Sequence, residues 1–560
     1  MTIHETITEL ITNALHTIEL SGDVVLEHPA DSTHGDFSCN VAMTLAKKAG
    51  KSPRALAEAI VAALPVHESI ESVTVAGPGF INFHLTSAFF ESQTAAISAS
   101  RNAWGTHTTL ANTTILLEHS SPNLFKPFHI GHLVNNTLGE SLVRILRAMG
   151  ATIVPLSYPS DISPGIAKAV WGILDKGWQD DVSITRIGEA YVHGVAQYDA
   201  DEAVKERINA INISLYNGEE GTPEWDVYQA GRKLSLAYFT AITALLGSSF
   251  EALIFESEAE KEGKKIVKEH TPGVFEESDG AIIFRGSEHG LFDNVFINSA
   301  GFGTYLAKDI GLLDTKFSRY TFDQSITITD IEQKQHFQLV KKAAELITPE
   351  WSEKSLFMQH GRLQLTSGKI SSRTGNVPLA EDIIKSVQDR ALQRMQENER
   401  VADEMTAQQI AIAAIKYAIA RVSMGKNIVF DMEQALSLEG DTGPYVQYAH
   451  ARCRSVLRKM SEQGLRMEET PPRGTSAVST VERLLYRYPS VVARAAGEYE
   501  PHYIANYLSE LASAFNSWYA HEQILDGTDE QAYKLAVTNA TATTLKNGLS
   551  LLGIEAPEYM

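Results

Sequence analysis

EHSSPNLFKPFHIGHLVNNTLGESLVRILRAMG, residues Glu118 to Gly150, is the stretch whose reading decides the fold. It follows Thr113, Thr114, Ile115, Leu116 and Leu117, a β-branched and apolar run that predicts a short strand. Ser120, Ser121, Pro122 and Asn123 break the pattern. From Ile130 onward Val134, Leu138, Leu142, Ile145 and Leu146 recur at helical spacing, and Gly150 marks the stop. A strand feeding a helix aims the free N–H groups and the positive end of the helix dipole at an anion. His129, Gly131 and His132 fall in the first turn, with Lys126 just upstream. Gly131 has no side chain, so a base or ribose can lie flat against the backbone. In outline this is a nucleotide-phosphate site. His-x-x-His is also half of a zinc site, but neither Cys39 nor Cys453 has a paired neighbour, so no metal centre is expected.

The string SSPNLFKPFHIGHL resembles the HIGH signature of class I aminoacyl-tRNA synthetases, in the form found in arginyl-tRNA synthetases. Downstream, LFMQHGRLQLTSGKISSRTGNVPLAEDII resembles the second signature, KMSKS. The family pattern there is Lys-Met-Ser-Ser-Arg-Lys-Gly-Asn; here Ile370 replaces Met and Thr374 the second Lys. The fourth-position lysine of other class I enzymes is Ser372, and Lys126 is the natural substitute. The resemblance implies Lys126, His129, His132 and Lys369 as catalytic residues. It implies ATP contacts from His129, Gly131, His132, Lys369, Ser371 and Ser372. Leaving pyrophosphate needs cations placed where its charge develops.

Between the two signatures, ATIVPLSYPSD reads as a second strand with Asp161 near its C-terminal end. The family follows this Asp with Gly two residues on and then Gln or His; this chain has Ser163 and lacks the polar side chain, running on to Gly165. GTYLAKDIGLL places Tyr305 and Asp309 on one helical face. The resemblance implies that this pair reads an arginine side chain, with Glu118, Asn123, Glu256 and Gln333 completing the amino-acid site. A guanidinium carries five N–H donors in a planar fork and keeps its charge, so it calls for carboxylates. Plainer readings stand beside these. The alternative for Asp309 is an ordinary pair with Lys308 or Lys316, that for Glu256 a solvated helix-start glutamate, and that for His336 near Gln333 a packing role.

Residues 1–105 read as a small α+β domain, with a helical face from Ile3 to Ile18 and two strands in ESVTVAGPGFINFHL. HGDFSCNVAMTLAKKAGKSPRALA and VAGPGFINFHL resemble the N-terminal domain of arginyl-tRNA synthetases, which implies tRNA D-loop contact through Asn82 and Phe83. Aromatic stacking on an unpaired base is the mechanism, and a core role is the alternative for Phe80 and Phe83. Residues 106–380 read as a Rossmann-like parallel-sheet catalytic domain with an insertion at about 165–290. Residues 381–560 turn helical. GDTGPYVQYAHAR and the terminal LLGIEAPEYM resemble the family's anticodon-binding bundle, which implies Tyr445, Tyr448 and Met560 near the anticodon.

The 560 residues are 44% apolar and 21% charged, as in a globular chain of several domains. A net charge of −21 argues against broad nucleic-acid binding but permits a local basic patch. Two distant cysteines suit a reducing compartment, and Ile410 to Ala420, the most apolar stretch, contains Lys416 and reads as a buried helix. The expectation is a multidomain α/β enzyme, monomeric and cytoplasmic, with no membrane contact. The resemblance implies that it joins L-arginine to tRNA(Arg) with ATP and Mg²⁺, through an arginyl-adenylate, releasing AMP and pyrophosphate.

Overall fold

The run before Glu118 becomes β1 (Thr114–Glu118), the middle strand of a five-stranded sheet in the computed structural model of the chain. The structure describes residues 2–29, 31–366, 379–397, 403–468, 471–475 and 477–560. The other strands are β2 (Thr152–Ser157), β3 (Ala252–Leu253), β4 (Gln324–Asp330) and β5 (Ser355–His360). Every pairing is parallel, in the order β5-β4-β1-β2-β3. A parallel sheet is covered on both faces, so its strands carry unbroken apolar runs rather than alternation. Ile115, Leu116 and Leu117 are buried accordingly, as are Ile326 and Ile328. This order reverses between β1 and β4, and in such sheets the crevice beyond the strand ends is where ligands bind.

Three helices frame that crevice: α1 (Ile130–Ala148), α2 (Glu256–Glu269) and α3 (Tyr305–Arg319). α2 and α3 pack backbone against backbone. A Cβ on Gly263 would lie 1.9 Å from the Ala307 carbonyl oxygen, and one on Gly311 1.9 Å from that of Ala259. Only glycine admits this approach. The expected insertion at about 165–290 is mainly helical (Pro164–Asp175, Ile184–Ala200, Glu202–Asn217, Pro223–Leu245). It is not wholly outside the sheet, because Leu156 and Ser157 pair with Ala252 and Leu253.

The chain forms two compact units. The sheet just described belongs to the unit made of Gly105–Arg452, Pro489–Ser513 and Leu545–Met560. Its helix Glu404–Ala420 is buried as expected, Lys416 included. The other unit comprises Met1–Trp104, Cys453–Tyr488 and Ala514–Thr544. Within it, four antiparallel strands lie in the order Leu26–Glu27, Phe37–Cys39, Phe80–Leu85, Ile70–Ala76. Ile81, Phe83 and Leu85 point into its core. This corrects the expectation for Phe83: the ring is fully buried and offers no face to a base. Asn82 is buried too, its Oδ1 accepting from Ser38 Oγ at 2.8 Å. The exposed ring of the strand is Phe80.

Candidate active site

α1 begins where the sequence placed it, with His129 as N-cap. Gly131 N donates to His129 Nδ1 at 3.1 Å, and His129 N donates to His132 Nδ1 at 3.3 Å. Both Nδ1 atoms therefore accept, and in the neutral rings the hydrogen sits on Nε2. The rings stack with centroids 3.7 Å apart. Burial, reinforced by the nearby Lys126 ammonium, lowers the pKa of His129; burial and then His129 lower that of His132 further. Two neutral imidazoles thus offer Nε2–H donors at an electropositive helix end. Lys126 Nζ lies 4.5 Å from the centroid of the Tyr191 ring.

α1 is held over the crevice by Asn135, whose Nδ2 donates to Ile328 O of β4 at 2.7 Å and whose Oδ1 accepts from Ser120 N at 2.6 Å. Ser120 and Phe125, in the loop after β1, both adopt positive φ. Non-glycine residues adopt that conformation only where their surroundings impose it, and such positions cluster at functional sites. Leu379 bridges to His129, and Ala380 N donates to Phe128 O at 2.9 Å, so the chain returns to the histidine pair there. Lys369, Ser371 and Ser372, with Ile370 and Thr374, lie outside the described residues.

The acidic side of the crevice is more neutralised than the sequence foretold. Glu118 is 5% exposed, and its Oε2 accepts from Lys316 Nζ at 2.6 Å. Its Oε1 accepts from the Ser121 hydroxyl at 3.5 Å. Glu256 Oε2 accepts from Lys308 Nζ and Ser160 Oγ, both at 2.9 Å. Burial pushes the Glu256 carboxyl up, and Lys308 pulls it back. Lys308 and Lys316 do pair with carboxylates, but with Glu256 and Glu118 rather than Asp309. Asp309 Oδ2 instead bonds His336 Nε2, which assigns His336 a polar role in place of packing. Tyr305, at the start of α3, is exposed beside a cavity of about 510 Å³ lined also by Asp293, Thr304 and His336. Gln333 and Asn123 are exposed, Asn123 bridging to Ser160.

The cationic and acidic groups share one end of the sheet. Tyr191, under Lys126, lies within electrostatic reach of Tyr305, and Tyr158 within reach of Glu256, Asp309, Glu118 and Asp161. Asp161 is spent on structure: its Oδ1 accepts from Ser257 N at 2.9 Å and its Oδ2 from Arg232 Nε at 3.2 Å. Of the expected anticodon residues, Tyr445 and Tyr448 are half-buried on the helix Gly443–Glu462. Met560 lines a cavity with Pro444 at that helix's start. Among the described residues no group of three or more His, Cys, Asp or Glu is placed to hold a metal ion.

Comparison with known proteins decides the family. The arginyl-tRNA synthetase N-terminal domain matches residues 5–85, the class I (R) tRNA synthetase catalytic domain residues 94–432, and the DALR anticodon binding domain residues 446–560. The chain belongs to the class I arginyl-tRNA synthetases. The synthetase is 30% identical to the arginine–tRNA ligase of Streptococcus mutans and 28% to that of Clostridium acetobutylicum, covering 96% of each chain in both cases. The Thermus thermophilus arginyl-tRNA synthetase structure superposes with a TM-score of 0.81 over 99% of this chain and 100% of its own, at 26% identity. Aminoacylation of tRNA with arginine is the family function, and class I membership brings use of ATP. The expected fold class is the one found. No helix among the described residues is long and apolar enough to cross a membrane. What sequence reasoning missed in this synthetase is Tyr158, Asn135, and the pairing of Lys308 and Lys316. Two lysines on the buried face of a helix were the available signal.

Proposed function

We propose that the crevice above β1 and β4 activates arginine by in-line displacement. The arginine carboxylate attacks the α-phosphorus of ATP, the bond to the β-phosphate oxygen breaks, and pyrophosphate leaves with an arginyl-adenylate retained. The arginyl group then passes to the terminal adenosine of tRNA(Arg), at its 2′-hydroxyl, and AMP leaves. No protein nucleophile is needed, because positioning and charge stabilisation carry such a transfer. His129 and His132 donate Nε2–H to phosphate oxygens as neutral donors, and Lys126 supplies the mobile positive charge, with Lys369 as its counterpart. Gly131 makes room for the adenosine. Asp309, held by His336, and Tyr305 receive the guanidinium; Asn123, Gln333 and the Oε1 of Glu118, which no lysine occupies among the described residues, take the amino-acid end. Mg²⁺ accompanies the nucleotide phosphates, as is usual for this ion. Tyr445, Tyr448 and Met560 serve the anticodon, and on the N-terminal sheet Phe80 replaces Phe83 as the stacking ring.

The observation that carries this reading is the imidazole pair with both Nδ1 atoms occupied, at the first turn of a helix over the sheet's switch point. Lys126→Ala tests it through arginine-dependent ATP–pyrophosphate exchange with tRNA present. The exchange rate is expected to fall about a hundredfold with little change in arginine KM. An unchanged rate removes Lys126 from the mechanism.

A further inference from the structure

Tyr158 lies one residue beyond the end of β2 and is 8% exposed, yet its hydroxyl has no hydrogen-bond partner among the described residues. Native folds seldom leave a buried hydroxyl unpaired, so each such group calls for an explanation. Its surroundings supply one. Tyr158 belongs to a buried cluster that includes Ala259 of α2 and Leu312 of α3. Ala259 is three residues after Glu256, and Leu312 three after Asp309, so the cluster includes residues from the helix faces that carry these carboxylates, and both carboxylates lie within electrostatic reach of the phenol. Tyr158 N donates to Ser121 Oγ at 3.1 Å, the hydroxyl nearest Glu118 Oε1. The following carbonyl, Pro159 O, accepts from Glu256 N at 3.1 Å.

We propose that the Tyr158 hydroxyl is a substrate contact that accepts a hydrogen bond from the guanidinium of bound arginine. The inference rests on the reading that Asp309 and Tyr305 receive that group. A guanidinium has only N–H donors, so each wall of its pocket must accept. Glu256 and Glu118 each have one oxygen committed to a lysine, whereas the Tyr158 oxygen is uncommitted. Burial, followed by Glu256, Asp309, Glu118 and Asp161, raises the phenol's pKa far above the ordinary tyrosine value. The phenol therefore stays neutral, and its uncommitted oxygen can accept from the substrate.

Tyr158→Phe in the full chain tests this, because it deletes one oxygen and keeps the packed ring. Aminoacylation kinetics should give an arginine KM raised about tenfold, the worth of one hydrogen bond to a charged group, with kcat and the KM for ATP unchanged and the thermal midpoint no lower. Asp309→Asn is measured in parallel. If Asp309→Asn raises the arginine KM and Tyr158→Phe does not, the guanidinium site stands and the proposal for Tyr158 falls. If neither variant moves it, the reading of the site fails and takes the proposal with it. A lowered midpoint with both KM values and kcat disturbed together assigns Tyr158 a purely structural role and also overturns the proposal.

Discussion

Lys308 shows how a single side chain sets the charge of the crevice. It is 3% exposed, donates to Glu256 Oε2 and to Ile162 O at 3.2 Å, and sits near the Tyr216 and Tyr305 rings. Burial works against its ammonium, but Glu256 and Tyr216 outweigh that loss, so its pKa stands above the ordinary lysine value. Removing one partner of a buried pair leaves the other charge uncompensated, at a cost of about 3–5 kcal/mol. Lys308→Met is therefore expected to lower stability by an amount of that order, read by urea denaturation. A loss under about 1 kcal/mol would mean that Glu256 simply takes up a proton. Legibility at this scale was uneven. The position of Lys126, His129 and His132 at a helix start was legible because a strand-to-helix turn is written in local pattern. The partners of Glu118 and Glu256 were not, because Lys316 lies 198 residues from the one and Lys308 52 residues from the other.

Elements place those side chains, and the tightest constraint is the crossing of α2 and α3. Gly263 and Gly311 bring the two backbones together, which sets Glu256 beside Lys308 and Asp309 near both. Gly311→Ala forces a Cβ against the Ala259 carbonyl, and overpacking of this kind costs about 1–3 kcal/mol. The variant should melt earlier and bind arginine more weakly while ATP affinity holds. Loss of stability with arginine affinity intact would separate the crossing from the site. Lys416 shows a second device. Its Nζ donates to Leu246 O at 2.5 Å and Gly553 O at 2.9 Å, carbonyls just beyond two helix C-termini, which satisfy the amine's hydrogens where burial pulls its pKa from 10.5 down to about 7. The strands and α1 were readable from periodicity. The α2–α3 crossing was not, since glycines in a helical pattern do not say which helix they face.

For the molecule as a whole, acid should be the first stress to tell. His119 is fully buried, and burial, aided by Lys416, lowers its pKa from the usual 6.5 to about 3. The folded value lies below the unfolded one, so the unfolded chain binds the extra proton as pH falls through 6.5. Stability is complete above that pH and drains away toward 3. Between pH 7 and pH 5 this residue alone should remove about 2 kcal/mol. His129, His132 and His360 act with the same sign. His119→Asn should flatten the dependence of the urea midpoint on pH over that interval; an unaltered slope would assign the acid sensitivity elsewhere. The sequence by itself determined the family and order of parts, the strand-to-helix turn that carries the histidine pair and the Tyr305–Asp309 face, because these rest on short-range spacing and contiguous motifs. Only the tertiary structure decided that Phe83 is core, that lysines already occupy Glu118 and Glu256, that His336 holds Asp309, and that the buried Tyr158 hydroxyl meets no partner among the described residues. Each of these depends on which distant segment a side chain meets, and burial and long-range pairing are fixed by packing rather than by local pattern.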